Sequence, residues 1–225
     1  MEITWYGHAN FRIKAGDADL LIDPFFVGNP SAPISYEDVD HCNLILVTHD
    51  HSDHIGQTLE LAIKHDAEVV AIFDVIQELI HLGLPPHLGV GMNIGGTVHR
   101  LGLDIKMVHA MHSAVNGMPA GFVITDPGGL CVYNSGDTGL FGDMKLFGEF
   151  HDIDIAILPI GGHFTMDAKQ AAYACKLLGC KKMIPQHWGT FGVLAQNTEA
   201  MAEQLALAAP ETELVTMDIN KPINF

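Results

Sequence analysis

Histidine and aspartate are concentrated in one short segment, residues 48–56, with the sequence THDHSDHIG. Three imidazoles and two carboxylates within six residues bring polar atoms that a folded core must satisfy, and histidine is a poor helix former. Imidazole nitrogen and carboxylate oxygen are the usual ligands of Zn²⁺ and similar ions. A solvated histidine-rich loop is the simpler interpretation, but the spacing favours a metal site.

The spacing divides these side chains into two groups. His49 and His51 are two residues apart, so in extended backbone they point the same way. Asp53 and His54 follow where the chain turns toward a helix, and they can face a second ion. One ion cannot accommodate all four together with ligands from elsewhere in the chain. We therefore predict two ions ~3.5–4 Å apart, a spacing suited to hydrolysis of esters, amides or phosphodiesters.

The surrounding pattern places this segment at the end of a strand. It directly follows the apolar run Asn43 to Thr48 (NLILVT), which is typical of a strand buried on both faces. Helical patterning resumes at about Gln57. Loops at the carboxyl ends of strands are where α/β proteins place their chemistry.

The rest of the chain alternates between predicted strands and helices, with strands first and then strands mixed with helices, twice over. This order favours two packed sheets with helices on their outer faces, a four-layer α/β arrangement. Asp167 and Gln170 have the spacing of a helix N-terminal cap, and Gly179 ends that helix. The predicted strands are 3–6, 11–14, 19–22, 43–48, 69–73, 98–101, 104–109, 121–125, 130–134, 153–159, 182–185 and 213–216, and the predicted helices are 57–65, 74–82, 167–178 and 198–208.

Two weakly structured stretches, Gly28 to Asp40 and Leu84 to Gly96, are too short to be interdomain linkers. Residues 1–225 are therefore predicted to form one domain. Only 17% of the residues are charged, which leaves uncharged surface for a subunit interface and predicts a homo-oligomer.

Composition excludes several classes of function. The net charge is −16, from 27 acidic against 11 basic residues, which argues against nucleic-acid partners and anionic membranes. The expected partner is a small-molecule substrate. The four cysteines form no C-x-x-C pair, and there is neither a signal-peptide pattern nor an apolar run of the ~20 residues that a membrane span needs. A cytoplasmic location is expected.

H-x-H-x-D-H after a buried strand is the signature of the metallo-β-lactamase superfamily, and the chain resembles this superfamily over its whole length. Three later motifs follow in the superfamily's order: MHS with His112, SGDT with Asp137 and PQHW with His187. His109 is an alternative to His112, but a His-Ser pair after a strand fits better. The resemblance implies the metallo-β-lactamase fold, a four-layer αββα sandwich.

The resemblance also implies how the ligands are divided. They are His49, His51 and His112 for one ion, Asp53, His54 and His187 for the other, and Asp137 as the bridge between the two. Zinc is the expected divalent metal, and a His/Asp site also accepts manganese, nickel or iron.

Further motifs narrow the resemblance. WYGHAN (residues 5–10), LIDP (21–24), PIGG (159–162) and FTM (164–166) are similar to the UPF0173 branch of metal-dependent hydrolases. That branch is related to the L-ascorbate-6-phosphate lactonase and N-acyl-phosphatidylethanolamine phospholipase D branches. The resemblance identifies the branch and leaves the substrate open.

Three other residues are candidates for supporting roles. His8 lies in a turn between strands and is either near the site or an ordinary turn histidine. Asp23, between an apolar strand and Pro24, is expected to orient a ligand histidine through its free ring nitrogen. His163, in a loop that begins with two glycines, is either a substrate contact or an exposed loop residue.

Water is the expected nucleophile, because the chain has neither a G-x-S-x-G elbow nor a phosphate-binding P-loop. Two ions would convert a bridging water to hydroxide near neutral pH, and Asp53 or Asp137 would relay its proton. The predicted function is hydrolysis of an ester, lactone or phosphodiester bond. The alternatives are a di-iron redox protein on the same fold and a metal-dependent binding or sensor protein without turnover.

Overall fold

The computed structural model describes residues 1–225 and contains two seven-stranded sheets. The first sheet consists of β1 (Glu2–Trp5), β2 (Phe11–Ala15), β3 (Ala18–Ile22), β4 (Leu44–Leu46), β5 (Glu68–Ile72), β6 (Gly89–Met92) and β14 (Ile223–Asn224). The second sheet consists of β7 (Thr97–Arg100), β8 (Leu103–His109), β9 (Ala120–Thr125), β10 (Cys131–Asn134), β11 (Ile155–Pro159), β12 (Lys182–Gln186) and β13 (Glu213–Leu214). Their spatial orders are β14-β1-β2-β3-β4-β5-β6 and β13-β12-β11-β10-β9-β8-β7.

Helices cover the outer faces of both sheets. They are α1 (Ser52–Ile55), α2 (Thr58–His65), α3 (Phe73–His81), α4 (Met144–Phe150), α5 (Ala168–Leu178) and α6 (Glu199–Ala208). Helices α2 and α3 contact strands β4 to β6, whereas α5 packs on β11 with α4 and α6 against its sides. The predicted αββα sandwich is thereby confirmed.

Alternation along the strands explains how the two sheets pack. In β11, Ile155 and Ile157 belong to the core between the sheets, and Ala156 and Leu158 belong to the core under the helices. Successive side chains of a strand point to opposite faces. A strand that is covered on both sides therefore has a continuous apolar sequence. No helix is both long and apolar enough to span a membrane.

Helix α5 begins and ends as its sequence predicts. The Asp167 carboxylate accepts a hydrogen bond from the Gln170 backbone N–H at 2.8 Å, which satisfies a donor that the helix itself cannot pair. Gly179 adopts φ of +63° at the other end, in the left-handed region that favours glycine.

Four elements were not predicted: α1, α4, β6 and β14. Strand β6 (GVGM) lies inside the stretch 84–96 that the sequence predicts as loop, because its two glycines carry no strand signal. Pairing with β5 defines it instead. Strand β14 is two residues long and depends on pairing with β1.

The strand directions bring one set of loops together. Strands β1, β3 and β4 run the same way in the first sheet, as do β8, β10 and β12 in the second. The loops that follow these six strands meet at one end of the sandwich, and they carry the predicted site residues.

Candidate metal centre

The histidine-rich segment leaves β4 in extended backbone and turns into α1 at its N-cap, His51. His49 and His54 are buried, whereas His51 and Asp53 are half-buried. Gly56 ends the turn at φ of +39°, where a Cβ atom would lie 2.3 Å from the Pro24 carbonyl oxygen. Only glycine allows α1 to pass this close to the loop after β3.

The first cluster of ligand atoms comes from His49, His51 and His112, all within 4.8 Å of one another. His49 Nε2 is 3.0 Å from His51 Nδ1. His112 reaches the cluster from the loop after β8, so this cluster draws on both sheets.

The second cluster contains Asp53, His54 and His187, together with His8. Asp53 Oδ2 lies 3.7 Å from His187 Nε2 and 3.9 Å from His54 Nε2. His8 Nε2 is closer to the same oxygen, at 3.1 Å. The structure therefore brings His8 directly onto a predicted ligand.

Asp137 lies between the two clusters. Its Oδ2 atom is 3.0 Å from His187 Nε2 and 3.4 Å from His54 Nε2, on one side, and 3.7 Å from His112 Nε2 on the other. The preceding Gly136 has φ of +58°, and a Cβ atom there would lie 2.7 Å from the Thr48 Cβ. Close approach of the two loops places this carboxylate between the histidines.

Asp23 orients two of the histidines through one hydrogen-bonded chain. Its Oδ2 accepts from His54 Nδ1 and from the Thr48 hydroxyl, both at 2.7 Å, and its Oδ1 accepts from the Thr48 N–H at 2.8 Å. Because the Thr48 hydroxyl donates to Asp23, its oxygen is free to accept from His49 Nδ1 at 3.0 Å. Both rings therefore bond through Nδ1 to this chain and direct Nε2 toward the site.

Backbone strain is concentrated at the same place. Among the six non-glycine residues with positive φ, three are His8 (58°), Asp23 (46°) and His187 (56°). Such conformations cost of order 1–3 kcal/mol each and persist where the surrounding structure enforces them. All three side chains take part in the clusters or support them.

In the absence of metal, the pKa values of the two carboxylates are lowered by the histidines that face them. Burial alone would raise the pKa of Asp137, but the facing His54 and His187 rings hold it well below its usual range. Burial would likewise raise the pKa of Asp53, and the nearby His187 ring and the hydrogen bond with His8 lower it. Both carboxylates are therefore ionised at neutral pH and attract cations.

The pKa values of the histidines shift in opposite directions. Burial lowers the pKa of His8 to about 4 and that of His49 well below its usual range. Burial also opposes protonation of His54 and His187, but the Asp137 carboxylate raises the pKa of both. Since neutral His8 donates Nε2–H to Asp53, its Nδ1 accepts from the Thr190 hydroxyl at 2.7 Å.

The residues fit a bound divalent cation. His54 Nε2 and Asp137 Oδ1 are buried and have no hydrogen-bond partner. A buried polar atom left unpaired costs ~1–3 kcal/mol, a cost that coordination would remove. Imidazole nitrogens and carboxylate oxygens are the donor set that Zn²⁺ and similar ions take.

A cavity of about 330 Å³ opens onto the clusters. It is lined by His51, Asp53, His112, Ser113, Asp137, Phe164 and His187. His163 instead lines a separate cavity with residues of α5 and α6, so its role as a substrate contact stays a prediction. Phe164 and Thr48 belong to the sequence motifs, but neither they nor Thr190 were assigned a role from sequence, because their types carry no metal signal.

Comparison with known proteins places the chain in a family. The sequence profile of the Beta-lactamase superfamily domain matches residues 2–187. A UPF0173 metal-dependent hydrolase from Nitratidesulfovibrio vulgaris is 48% identical over 218 residues, covering 96% of this chain and 91% of that protein. One from Lawsonia intracellularis is 43% identical over 221 residues, covering 97% of this chain and 96% of that protein.

A solved structure agrees with this assignment. Igni18, a metallo hydrolase from the archaeon Ignicoccus hospitalis, superposes with a TM-score of 0.91 at 33% identity, covering 100% of this chain and 97% of that one. The chain therefore belongs to the beta-lactamase superfamily and, within it, to the UPF0173 metal-dependent hydrolases. The predicted enzyme class is confirmed, and the relation to the ascorbate-6-phosphate lactonase branch stays a prediction.

Proposed function

We propose that the protein is a hydrolase with a dinuclear metal centre that cleaves an ester, lactone or phosphodiester bond of a small molecule. The observation that carries this proposal is the position of Asp137. One of its oxygens lies 3.0–3.7 Å from ring nitrogens of both clusters, the arrangement that a carboxylate shared by two ions requires.

The ligand assignment follows from the two clusters. His49, His51 and His112 would hold one ion, Asp53, His54 and His187 the other, and Asp137 would bridge them. Two divalent ions held there would supply an activated water near neutral pH and electrophilic assistance to the bond under attack. Zinc suits this donor set, and manganese, nickel or iron are accepted by the same ligands.

The chain's own residues prepare the site for this reaction. Asp23 and Thr48 hold the rings of His49 and His54 in the required orientation. His8 holds Asp53 by a hydrogen bond to Oδ2. The Asp53 side chain is 27% exposed and lines the cavity, so it can accept a proton from the attacking water and return it to the leaving group.

Metal content tests the proposal directly. Wild type, Asp137→Asn and the control Asp152→Asn would be purified without added metal or chelator and analysed by mass spectrometry. The control residue is acidic but exposed, and it lies before the N-terminal end of β11, whereas the site is at the C-terminal ends of the strands. About two ions per chain are expected in wild type and control, and fewer in Asp137→Asn. Full occupancy in Asp137→Asn would overturn the bridging role.

Turnover completes the test. Hydrolysis of p-nitrophenyl esters and bis(p-nitrophenyl) phosphate should disappear with chelator and fall at least ~100-fold in Asp137→Asn. Metal-loaded protein that turns over none of these would contradict the proposed reaction. Two irons whose absorbance changes on reduction would support the redox alternative instead.

A further inference from the structure

An aromatic side chain stands at the mouth of the metal cavity. Phe164 is the one hydrophobic residue among the seven that line the cavity, and it is 58% exposed. The other six lining residues are polar or ionisable. A molecule that enters the cavity therefore meets both the predicted ligand side chains and one apolar ring.

Two further exposed apolar side chains lie on the loop that carries His112 and Ser113. Met111 and Val115 are 59% and 78% exposed, and they flank the cavity-lining His112 and Ser113 in sequence. We call Phe164, Met111 and Val115 the apolar rim. The rim lies on two loops, one after β8 and one after β11, and the loop after β10 connects them by hydrogen bonds. Gly139 N–H donates to the Met111 carbonyl, and Met166 N–H donates to the Thr138 carbonyl.

The loop that carries Val115 is fixed in place by an acidic residue of the histidine-rich segment. Asp50 accepts hydrogen bonds from the Val115 N–H at 2.7 Å and from the Asn116 N–H and side-chain amide at 2.8 and 2.9 Å. The segment that carries Val115 is thus held before any ligand enters. A preformed surface binds without a further ordering cost.

The cavity is lined by no lysine or arginine. None of the chain's 11 lysine and arginine residues is among the lining residues, whereas Asp53 and Asp137 are. Lys169 lines the separate cavity beside α5 and α6. Sites that recognise phosphate usually employ arginine or lysine, and an anionic phosphoryl group finds neither here.

From these two observations we propose that the substrate is an uncharged carboxylic ester or lactone whose apolar substituent packs on the apolar rim. This inference rests on the proposed hydrolase function and narrows its substrate class. The carbonyl would lie at the ligand clusters and the hydrocarbon part against Phe164. Attack by water on the carbonyl carbon breaks the acyl C–O bond and yields a carboxylic acid and an alcohol from an ester, or one hydroxy acid from a lactone.

Binding of alkyl hydroxamates separates this inference from catalysis. Hydroxamates chelate active-site metals and can be made with acyl chains from two to eight carbons. Dissociation constants would be measured by calorimetry on metal-loaded wild type, Phe164→Ala and the control Phe150→Ala. Phe150 is 75% exposed but lines a cavity at α4, away from the clusters.

The chain-length dependence is the decisive quantity. Each added methylene should tighten binding about two- to fourfold in wild type and in Phe150→Ala, since each buried methylene contributes a fixed transfer free energy. Phe164→Ala should flatten this dependence while leaving acetohydroxamate binding unchanged. A flat dependence in wild type, or an unchanged one in Phe164→Ala, would overturn the role of the rim.

Turnover tests the substrate class. Medium-chain lactones and esters should have kcat/KM at least about tenfold above that of the phosphodiester anion. A preference for the phosphodiester would overturn the inference and leave the hydrolase function intact. If metal-loaded protein hydrolyses neither, the proposed function fails, and the hydroxamate series still decides whether the rim binds apolar groups.

Discussion

The hydrogen-bonded chain around Asp23 shows how a few residues prepare a metal site before metal arrives. One carboxylate fixes the ring of His54 directly and that of His49 through the Thr48 hydroxyl. Both rings are thereby committed to coordination through Nε2. Mutation of a residue that supports a metal ligand in this way commonly lowers metal affinity ~10–100-fold.

Substitution of Asp23 by asparagine tests this support. Asparagine tolerates the left-handed backbone that Asp23 adopts, so the fold should persist. We expect metal affinity to fall ~10–100-fold, because an amide cannot accept from His54, from the Thr48 hydroxyl and from the Thr48 N–H as a carboxylate does. Competition titration against a chromogenic chelator measures the change. Affinity equal to that of the Asp152→Asn control would refute the role.

His8 is placed by its hydrogen bonds as a residue that positions Asp53, although its ring also lies within reach of the second cluster. His8→Asn keeps a residue suited to positive φ but loses the contact with Asp53. We expect kcat to fall about tenfold and the visible spectrum of the Co²⁺-substituted protein to stay unchanged. A changed spectrum would instead make His8 a metal ligand.

The pH dependence of metal binding follows from the raised pKa values of His54 and His187. With folded, metal-free pKa values above 6.5, both rings carry protons through the range below those values. Each must lose its proton to coordinate, so metal affinity should rise with pH and binding should release protons near neutrality. Calorimetry in buffers of different ionisation enthalpy counts these protons. Binding at pH 7 without proton release would contradict the assignment.

At the scale of the elements, local patterns locate the strands and helices that have strong periodicity or caps. The interior strands and α5 were predicted within a few residues. Helix α4 and strands β6 and β14 were not, because their sequences carry weak signals and tertiary contacts define them. His163 and Phe164 illustrate the same limit within one loop, where the backbone path decides which neighbour faces the cavity.

A glycine in α4 gives an element-scale prediction. A Cβ atom on Gly148 would lie 2.3 Å from the Leu178 carbonyl oxygen at the end of α5, whereas one on Gly142 would meet nothing within 4 Å. Gly148→Ala should therefore destabilise the protein by ~1–3 kcal/mol, since α4 and α5 must move apart. Gly142→Ala is the matched control. Denaturant unfolding measures both, and equal stability of the two variants would contradict the packing argument.

Across the whole molecule, the site joins the two sheets. His8, Asp23 and the histidine-rich segment follow strands of the first sheet, and His112, Asp137 and His187 follow strands of the second. The motifs could be predicted from sequence because each lies just after a strand. Their distances could not, because they depend on how the sheets pack. One domain, a cytoplasmic location and a homo-oligomer stay predictions.

Metal removal should consequently lower the stability of the whole fold. Ligands that bind only the folded state stabilise it by RT ln(1 + [L]/Kd), which is about 4 kcal/mol at a thousandfold excess over Kd. We expect the unfolding temperature to drop several degrees on treatment with chelator and to recover when zinc is restored. An unfolding temperature that does not change with chelator would mean that the packing of the two sheets does not depend on metal.

The division of the ligands between the two sheets also bears on the order of events during synthesis. The N-terminal part of the chain emerges from the ribosome with His8 and the histidine-rich segment, but without any ligand from the second sheet. That part can capture an ion only loosely, because Asp137 and His187 are still to come. With the proposed ligand assignment, complete coordination therefore becomes available only after β12 has been synthesised and has joined its sheet.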